Sequence, residues 1–169
     1  MDRKQTKMGG NLITLLGPEL KAGDKAPDFN VRSTELFQVT LSDYRGKPKL
    51  ISVAPSLDTT VCDRQTRRIN QEATDLQGRV KFISMSMDLP FALKRWAMNA
   101  GPLALELLSD YIDASFGMHY GVLIQELRLL NRSLFLIDDQ DVIRYMEVVE
   151  ENYSEPDYDR AFDALRRLL

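Results

Sequence analysis

The segment Pro55-Ser56-Leu57-Asp58-Thr59-Thr60-Val61-Cys62 sets a proline, a hydroxyl residue and a thiol in the spacing Pro-x-x-x-Thr-x-x-Cys. It lies between an apolar run and a polar stretch with helical patterning. A thiol at the start of a helix meets unpaired N–H groups and a partial positive charge, the setting that favours a reactive thiolate. With an ordinary pKa of ~8.5 only about 3% of a cysteine is ionised at pH 7, and a value of ~6 would raise that fraction to about 90%. A helix N-terminus and one buried guanidinium can together supply such a change. Thr59 could donate its hydroxyl to the sulfur or to a substrate oxygen, and Pro55 would shape the loop and shelter the sulfur. The same residues admit a plainer reading. A lone cysteine can be a small buried hydrophobe, and Asp58, Thr59 or Thr60 can be a helix cap. Residue types and spacing leave both readings open.

Cys62 is the chain's single cysteine. It cannot close a disulfide within the chain, and with His119, the single histidine, it cannot form a four-ligand zinc site. No metal or cofactor is expected. A net charge of -3 argues against sequence-independent nucleic-acid binding, so Arg64, Arg67 and Arg68 read as a solvated helix face. No segment approaches the ~20 apolar residues of a membrane helix. Met1 to Gly10 is polar and lacks the pattern of a secretory signal, which favours the cytoplasm. The 169 residues suit one domain, spanning 1–169, with a substantial core.

The elements that must hold the thiol follow from periodicity. Gly9-Gly10-Asn11 reads as a turn into a strand at Leu12–Leu16, half of a hairpin, and 18–27 as loop. Phe29–Arg32 and Phe37–Thr40 are expected strands, and Leu41–Gly46 a single helical turn. Leu50–Ala54 is a short buried strand ended by Pro55. Thr60–Leu76 turns helical, with Val61, Ile69, Ala73 and Leu76 on the inner side. Val80–Met87 then reads as a strand parallel to the first, reached by a crossover helix. A second helix is expected over Pro90–Ala100. Leu103–Leu108 fits strand or helix and leans to strand, and Ala114–Tyr120 is a short helix. Ser133–Ile137 and Val142–Val149 form a hairpin around Asp138–Asp141, and Asp157–Leu169 is an amphipathic closing helix. The sum is an α/β sheet flanked by helices, of thioredoxin-like type with an N-terminal extension.

Taken together, these stretches resemble the peroxiredoxin family, more narrowly the thiol peroxidase branch of the atypical two-cysteine peroxiredoxins. Gly10–Leu15 and Ala22–Phe29 resemble that branch's N-terminal hairpin and entry strand, and Pro55–Cys62 its active-site loop. Asp88-Leu89-Pro90-Phe91-Ala92 and Glu155-Pro156-Asp157-Tyr158 are similar to two further stretches typical of it. The resemblance implies a thioredoxin-like fold of peroxiredoxin type with an N-terminal β-hairpin extension. It implies Cys62 as the peroxidatic cysteine, Thr59 as hydrogen-bond partner of the peroxide and Pro55 as shield. Arg132, which would otherwise read as a strand-edge residue in a surface ion pair, takes the place of the family's second-site arginine. Histidine is not the base in the family's scheme, so His119 is structural or exposed.

One departure from the branch stands out. Its resolving cysteine falls in the helix after Asp88–Ala92, where this chain has Leu93-Lys94-Arg95-Trp96-Ala97-Met98, with Ala97 at the expected thiol position. This permits a one-cysteine peroxidase, an engineered alanine, or a protein that has lost turnover. The changed neighbours Trp96, Met98 and Asn99 favour natural divergence. The leading expectation is a peroxidase reducing hydrogen peroxide or organic hydroperoxides, with an external thiol such as thioredoxin, glutaredoxin or a small thiol as reductant. The alternative is a peroxide sensor oxidised once per event. A homodimer is what the resemblance implies for assembly.

Overall fold

The computed structural model describes residues 4–169. The chain enters through a hairpin of β1 (Gln5–Met8) and β2 (Asn11–Leu16), joined by Gly9 and Gly10 at φ 61° and 82°. Two successive left-handed residues make the turn whose twist matches that of the flanking strands, which is why glycine occupies both positions. β3 (Asn30–Ser33), β4 (Gln38–Thr40) and a 3₁₀ turn at Leu41–Tyr44 follow.

The centre is β5 (Lys49–Val53), helix α1 (Thr60–Asp75) and β6 (Lys81–Ser86). β5 and β6 pair in parallel, so the crossover expected from the sequence forms. Helix α2 (Pro90–Ala100) leads to β7 (Glu106–Ser109), also parallel to β6. The run Leu103–Leu108 therefore becomes a strand in its second half only. Helix α3 (Ser115–His119) is shorter than its sequence pattern, because Ala114 takes a left-handed φ of 51° that a helix cannot continue through.

The remaining elements are β8 (Leu123–Ile124), β9 (Ser133–Ile137), β10 (Ile143–Val148) and α4 (Tyr158–Leu168). A seven-stranded sheet has the order β10-β9-β5-β6-β7-β3-β4, and β1-β2-β8 form a small second sheet. β8 has no counterpart in the sequence reading, since two residues are too few to display a period. On one face of the large sheet, α1 and α4 cover Leu50, Phe82, Leu134 and Leu136 with Ile69, Ala73, Phe162 and Leu165. On the other, Phe29, Phe116 and Tyr120 cover Ile51, Val53, Ile83 and Phe135.

One local expectation fails in phase. Val61 is only partly buried, and the inner face of α1 is Cys62, Gln65, Thr66, Ile69 and Ala73. A polar glutamine and threonine read as outward-facing in the pattern, yet both are fully buried. The shift turns the thiol into the fold.

Candidate active site

Strand β5 ends at Val53, and Pro55 starts the loop that delivers Cys62 to the first turn of α1. The first bond of that helix runs from Asp63 N to Thr59 O at 2.9 Å. The N–H groups of Thr60, Val61 and Cys62 precede it and have no acceptor in the helix, as at any N-terminus. Thr59 is the cap residue by position, but its hydroxyl does not bond the helix. It donates to the carbonyl of Ser56 at 3.0 Å. With its hydrogen used there, Thr59 Oγ1 is left to accept from a bound molecule and not to donate, which changes the donor role its sequence position suggested.

The loop is held from below by Asp88. Its Oδ1 accepts from Ser56 Oγ at 2.6 Å, and its Oδ2 from Leu57 N at 2.8 Å and Ser86 Oγ at 3.0 Å. Ser109 Oγ donates in turn to the Asp88 carbonyl. The Asp88–Ala92 stretch therefore does local work beside the thiol: its leading carboxylate fixes the loop.

Arg132, immediately before β9, is 2% exposed, and its Nη2 lies 3.3 Å from Cys62 Sγ. Nε donates to the main-chain oxygen of Asn152 at 2.9 Å and Nη1 to Gln65 Oε1 at 2.8 Å. Gln65 is itself fixed by donating to Ser52 Oγ and the Val53 carbonyl. Among the described residues no carboxylate lies within ion-pair distance of Arg132. A guanidinium cannot shed its proton, and a buried charge without a counter-charge is costly. Negative charge on the sulfur would meet that need.

Pro55, Thr59, Cys62 and Arg132 all border one cavity of about 380 Å³, walled further by Met8, Leu129, Asn152 and Tyr153. Pro55 is buried, Thr59 exposed at the mouth, and Cys62 has no measurable exposure. The four sequence candidates thus converge. Gln65 and Asn152 carry no functional signal in the sequence, and Asp88 is signalled only by opening the stretch Asp88–Ala92.

His119 is apart from this cavity, exposed, with Nδ1 2.7 Å from the Asp28 carbonyl. Ala97 is half-buried on α2 and lines a separate hollow of about 660 Å³ with Leu103–Leu107. Its neighbour Trp96 ties α2 to α1, donating from Nε1 to Asp63 Oδ1 at 2.8 Å beneath the Arg67 guanidinium. Arg64 and Arg67 lie on the exposed side of α1, pairing with Glu155 and Asp63, while Arg68 stacks over Phe162. Among the described residues no cluster of three potential metal ligands occurs, and no helix is long and apolar enough to cross a membrane.

The sheet order, the crossover and a thiol at a helix N-terminus beside a buried guanidinium define a thioredoxin-like protein with a thiol-centred site. Residues 22–146 match the AhpC/TSA family. The chain belongs to that family of peroxiredoxins, and within it to the thiol peroxidase branch, without the branch's usual resolving cysteine. It is 52% identical over 160 residues to the thiol peroxidase of Halalkalibacterium halodurans, covering 95% of this chain and 96% of that protein. The thiol peroxidase of Staphylococcus aureus is 49% identical over 159 residues, covering 94% and 96%. Among solved structures, a peroxiredoxin-like protein from Aquifex aeolicus superposes with a TM-score of 0.91 at 33% identity, over 98% of this chain and 97% of that one. A thiol peroxidase from Chromobacterium violaceum shares the fold, with a TM-score of 0.86 at 24% identity over 96% and 95%.

Proposed function

We propose that the chain is a thiol-dependent peroxidase that reduces hydrogen peroxide or organic hydroperoxides through Cys62. The observation that carries this reading is the 3.3 Å contact between a buried, carboxylate-free guanidinium and the sulfur. Cys62, as thiolate, attacks the nearer peroxide oxygen. The O–O bond breaks, the leaving hydroxide or alkoxide takes a proton to become water or an alcohol, and the sulfur becomes a sulfenic acid. Arg132 and the free N–H groups of the first helical turn stabilise the charge as it passes from sulfur to leaving oxygen. Thr59 Oγ1 accepts a hydrogen bond from the peroxide and orients it, while Pro55 keeps bulk water from the sulfur.

With no second cysteine in the chain, the sulfenic acid condenses with an external thiol, releasing water and forming a mixed disulfide. A second thiol then displaces Cys62 as thiol and leaves with the disulfide. Thioredoxin or a small thiol suits this role. The remaining parts of the reading are one domain over 1–169, a homodimer and a cytoplasmic setting.

Rapid-mixing kinetics with mass spectrometry of Cys62 test the reading. Peroxide should convert Cys62 stoichiometrically to sulfenic acid, and Cys62→Ser should abolish the reaction. A rate no faster than that of free cysteine would end the proposal. Consumption that stops at one equivalent with every reductant would favour a sensor instead. The absence of a resolving thiol and the Trp96–Asp63 tie between α2 and α1 are the features on that side.

A further inference from the structure

The buried guanidinium is aimed by a segment far from the thiol loop. Two contacts from Arg132 converge on Asn152, in the loop after β10: Nε on its main-chain oxygen at 2.9 Å and the backbone N–H on its Oδ1 at 2.8 Å. Asn152 is fully buried and has no freedom of its own. Its Nδ2 donates to the Lys7 carbonyl at 3.1 Å and to Asn131 Oδ1 at 2.7 Å, and its backbone N–H also goes to the Lys7 carbonyl. Asn131 Oδ1 takes a further bond from Thr6 Oγ1. Lys7 and Thr6 belong to β1, so the position of Arg132 is referred to the N-terminal hairpin.

Glu151 fastens that hairpin. Its carboxylate accepts from Gly9 N at 2.8 Å, Gly10 N at 3.0 Å and Tyr153 N at 3.1 Å, joining the hairpin tip to the loop that holds Asn152. Lys7 N donates to the Glu150 carbonyl at 2.6 Å, and the Tyr153 ring covers Gly9 so closely that a Cβ there would sit 2.9 Å from it.

We propose that Asn152 is a positioning residue for peroxide reduction, holding Arg132 against Cys62, and that Glu151 latches the N-terminal hairpin as the fixed reference for both. This rests on the peroxidase reading above. The chemistry of the side chain supports a functional role beyond packing. The guanidinium meets only neutral oxygens here, the main-chain oxygen of Asn152 and Oε1 of Gln65, whereas a carboxylate in their place would neutralise the charge that must act on the sulfur and the leaving oxygen. The neutral Asn152 side chain holds the Arg132 backbone and the loop whose carbonyl takes the guanidinium, and it leaves that charge unspent. Its donors and acceptors are all used, so a small displacement has no alternative partner. Misplacement by about 1 Å of a group that acts on the transition state costs up to ~100-fold in rate.

The test is a double-mutant cycle read by rapid mixing with peroxide, across pH, on the full chain. Asn152→Ala should slow sulfenic acid formation about tenfold at pH 7 and move the pH–rate profile toward higher pH, by the same misplacement. Reduction of the already oxidised enzyme by a small thiol should change less than about twofold, since that step does not need the guanidinium on a leaving peroxide oxygen. In an Arg132→Ala background the Asn152→Ala change should add almost nothing. Glu151→Gln, at a half-exposed site that does not touch the core, should give a smaller slowing of the same kind and covers the case in which Asn152→Ala folds poorly. If folded Asn152→Ala reacts at the wild-type rate with an unmoved pH profile, or slows equally with and without Arg132, the proposal is overturned. A wild-type Cys62 no faster than free cysteine would sink the peroxidase reading instead, a result independent of Asn152.

Discussion

Two buried cations stand at opposite ends of the same strand pair. Lys49, 0% exposed, opens β5 opposite Ile137, whereas Arg132 precedes Ser133, which pairs with Val53 at the other end of β5. Lys49 meets the carboxylate of Asp141 and, at 3.4 Å, the carbonyl of Asp138. Asp138 in turn organises the β9–β10 turn through the N–H groups of Gln140 and Val142 and through Arg144. Arg132 meets two neutral amide residues and a thiol. Pairing a buried charge locks a turn in place; surrounding it with neutral oxygens leaves its field available to the neighbouring sulfur and to the oxygen that leaves during reaction.

The contrast is broken most directly by exchanging effects between the two ends. Arg132→Ala should slow peroxide attack by about two orders of magnitude or more, since it removes the preorganised positive charge at the reacting atoms. Lys49→Met should leave that rate within about twofold and lower unfolding stability in urea by about 3 kcal/mol, because it strands Asp141 without its partner. A large rate loss from Lys49→Met, with stability kept, would erase the distinction. Thr59→Val, which keeps the shape but removes the acceptor for the peroxide hydrogen, should cost roughly tenfold in the same assay. Thr59→Ser should recover most of it.

A third buried charge sharpens the point from the opposite sign. Asp110, directly after β7, accepts from Phe116 N at 2.9 Å and Gly117 N at 2.8 Å in the first turn of α3. Burial pushes its carboxyl up to about 6 despite those two donors. An acid whose folded value exceeds its unfolded one binds its proton more tightly when folded. Its contribution to stability is therefore full below about pH 4, declines as pH rises toward 6, and is flat above. Carboxyl-carbon NMR should find the Asp110 midpoint near 6; a midpoint near 4 would refute this. An aspartate whose burial outweighs the pull of nearby Arg128 and His119 can keep its proton, whereas an arginine has no such escape and needs an anion.

The sequence is informative where a motif is contiguous. Pro55, Thr59 and Cys62 lie within one loop and one helical turn, so their spacing alone implies the thiol's setting, and the glycine pair at the hairpin tip implies its turn. Arg132 is a different case: it stands out only through family resemblance, since an isolated arginine before a strand has no periodic signature. Gln65 and Asn152 were invisible for a physical reason. Polar residues read as surface unless their buried partners are known, and those partners lie on other strands. For the same reason the apolar pattern puts Val61 on the inner face of α1 and leaves Gln65 and Thr66 outside the core.

By itself, then, the order of residues determined one thiol with no partner cysteine, the loop and helix that present it, and the α/β layering that follows from alternating periods. Tertiary structure alone decided what stands beside that thiol. The guanidinium arrives from 70 residues away, and it bonds Asn152 of the closing loop, which in turn bonds the Lys7 carbonyl of the opening hairpin. Local preference cannot encode such contacts, because their strength comes from being buried together.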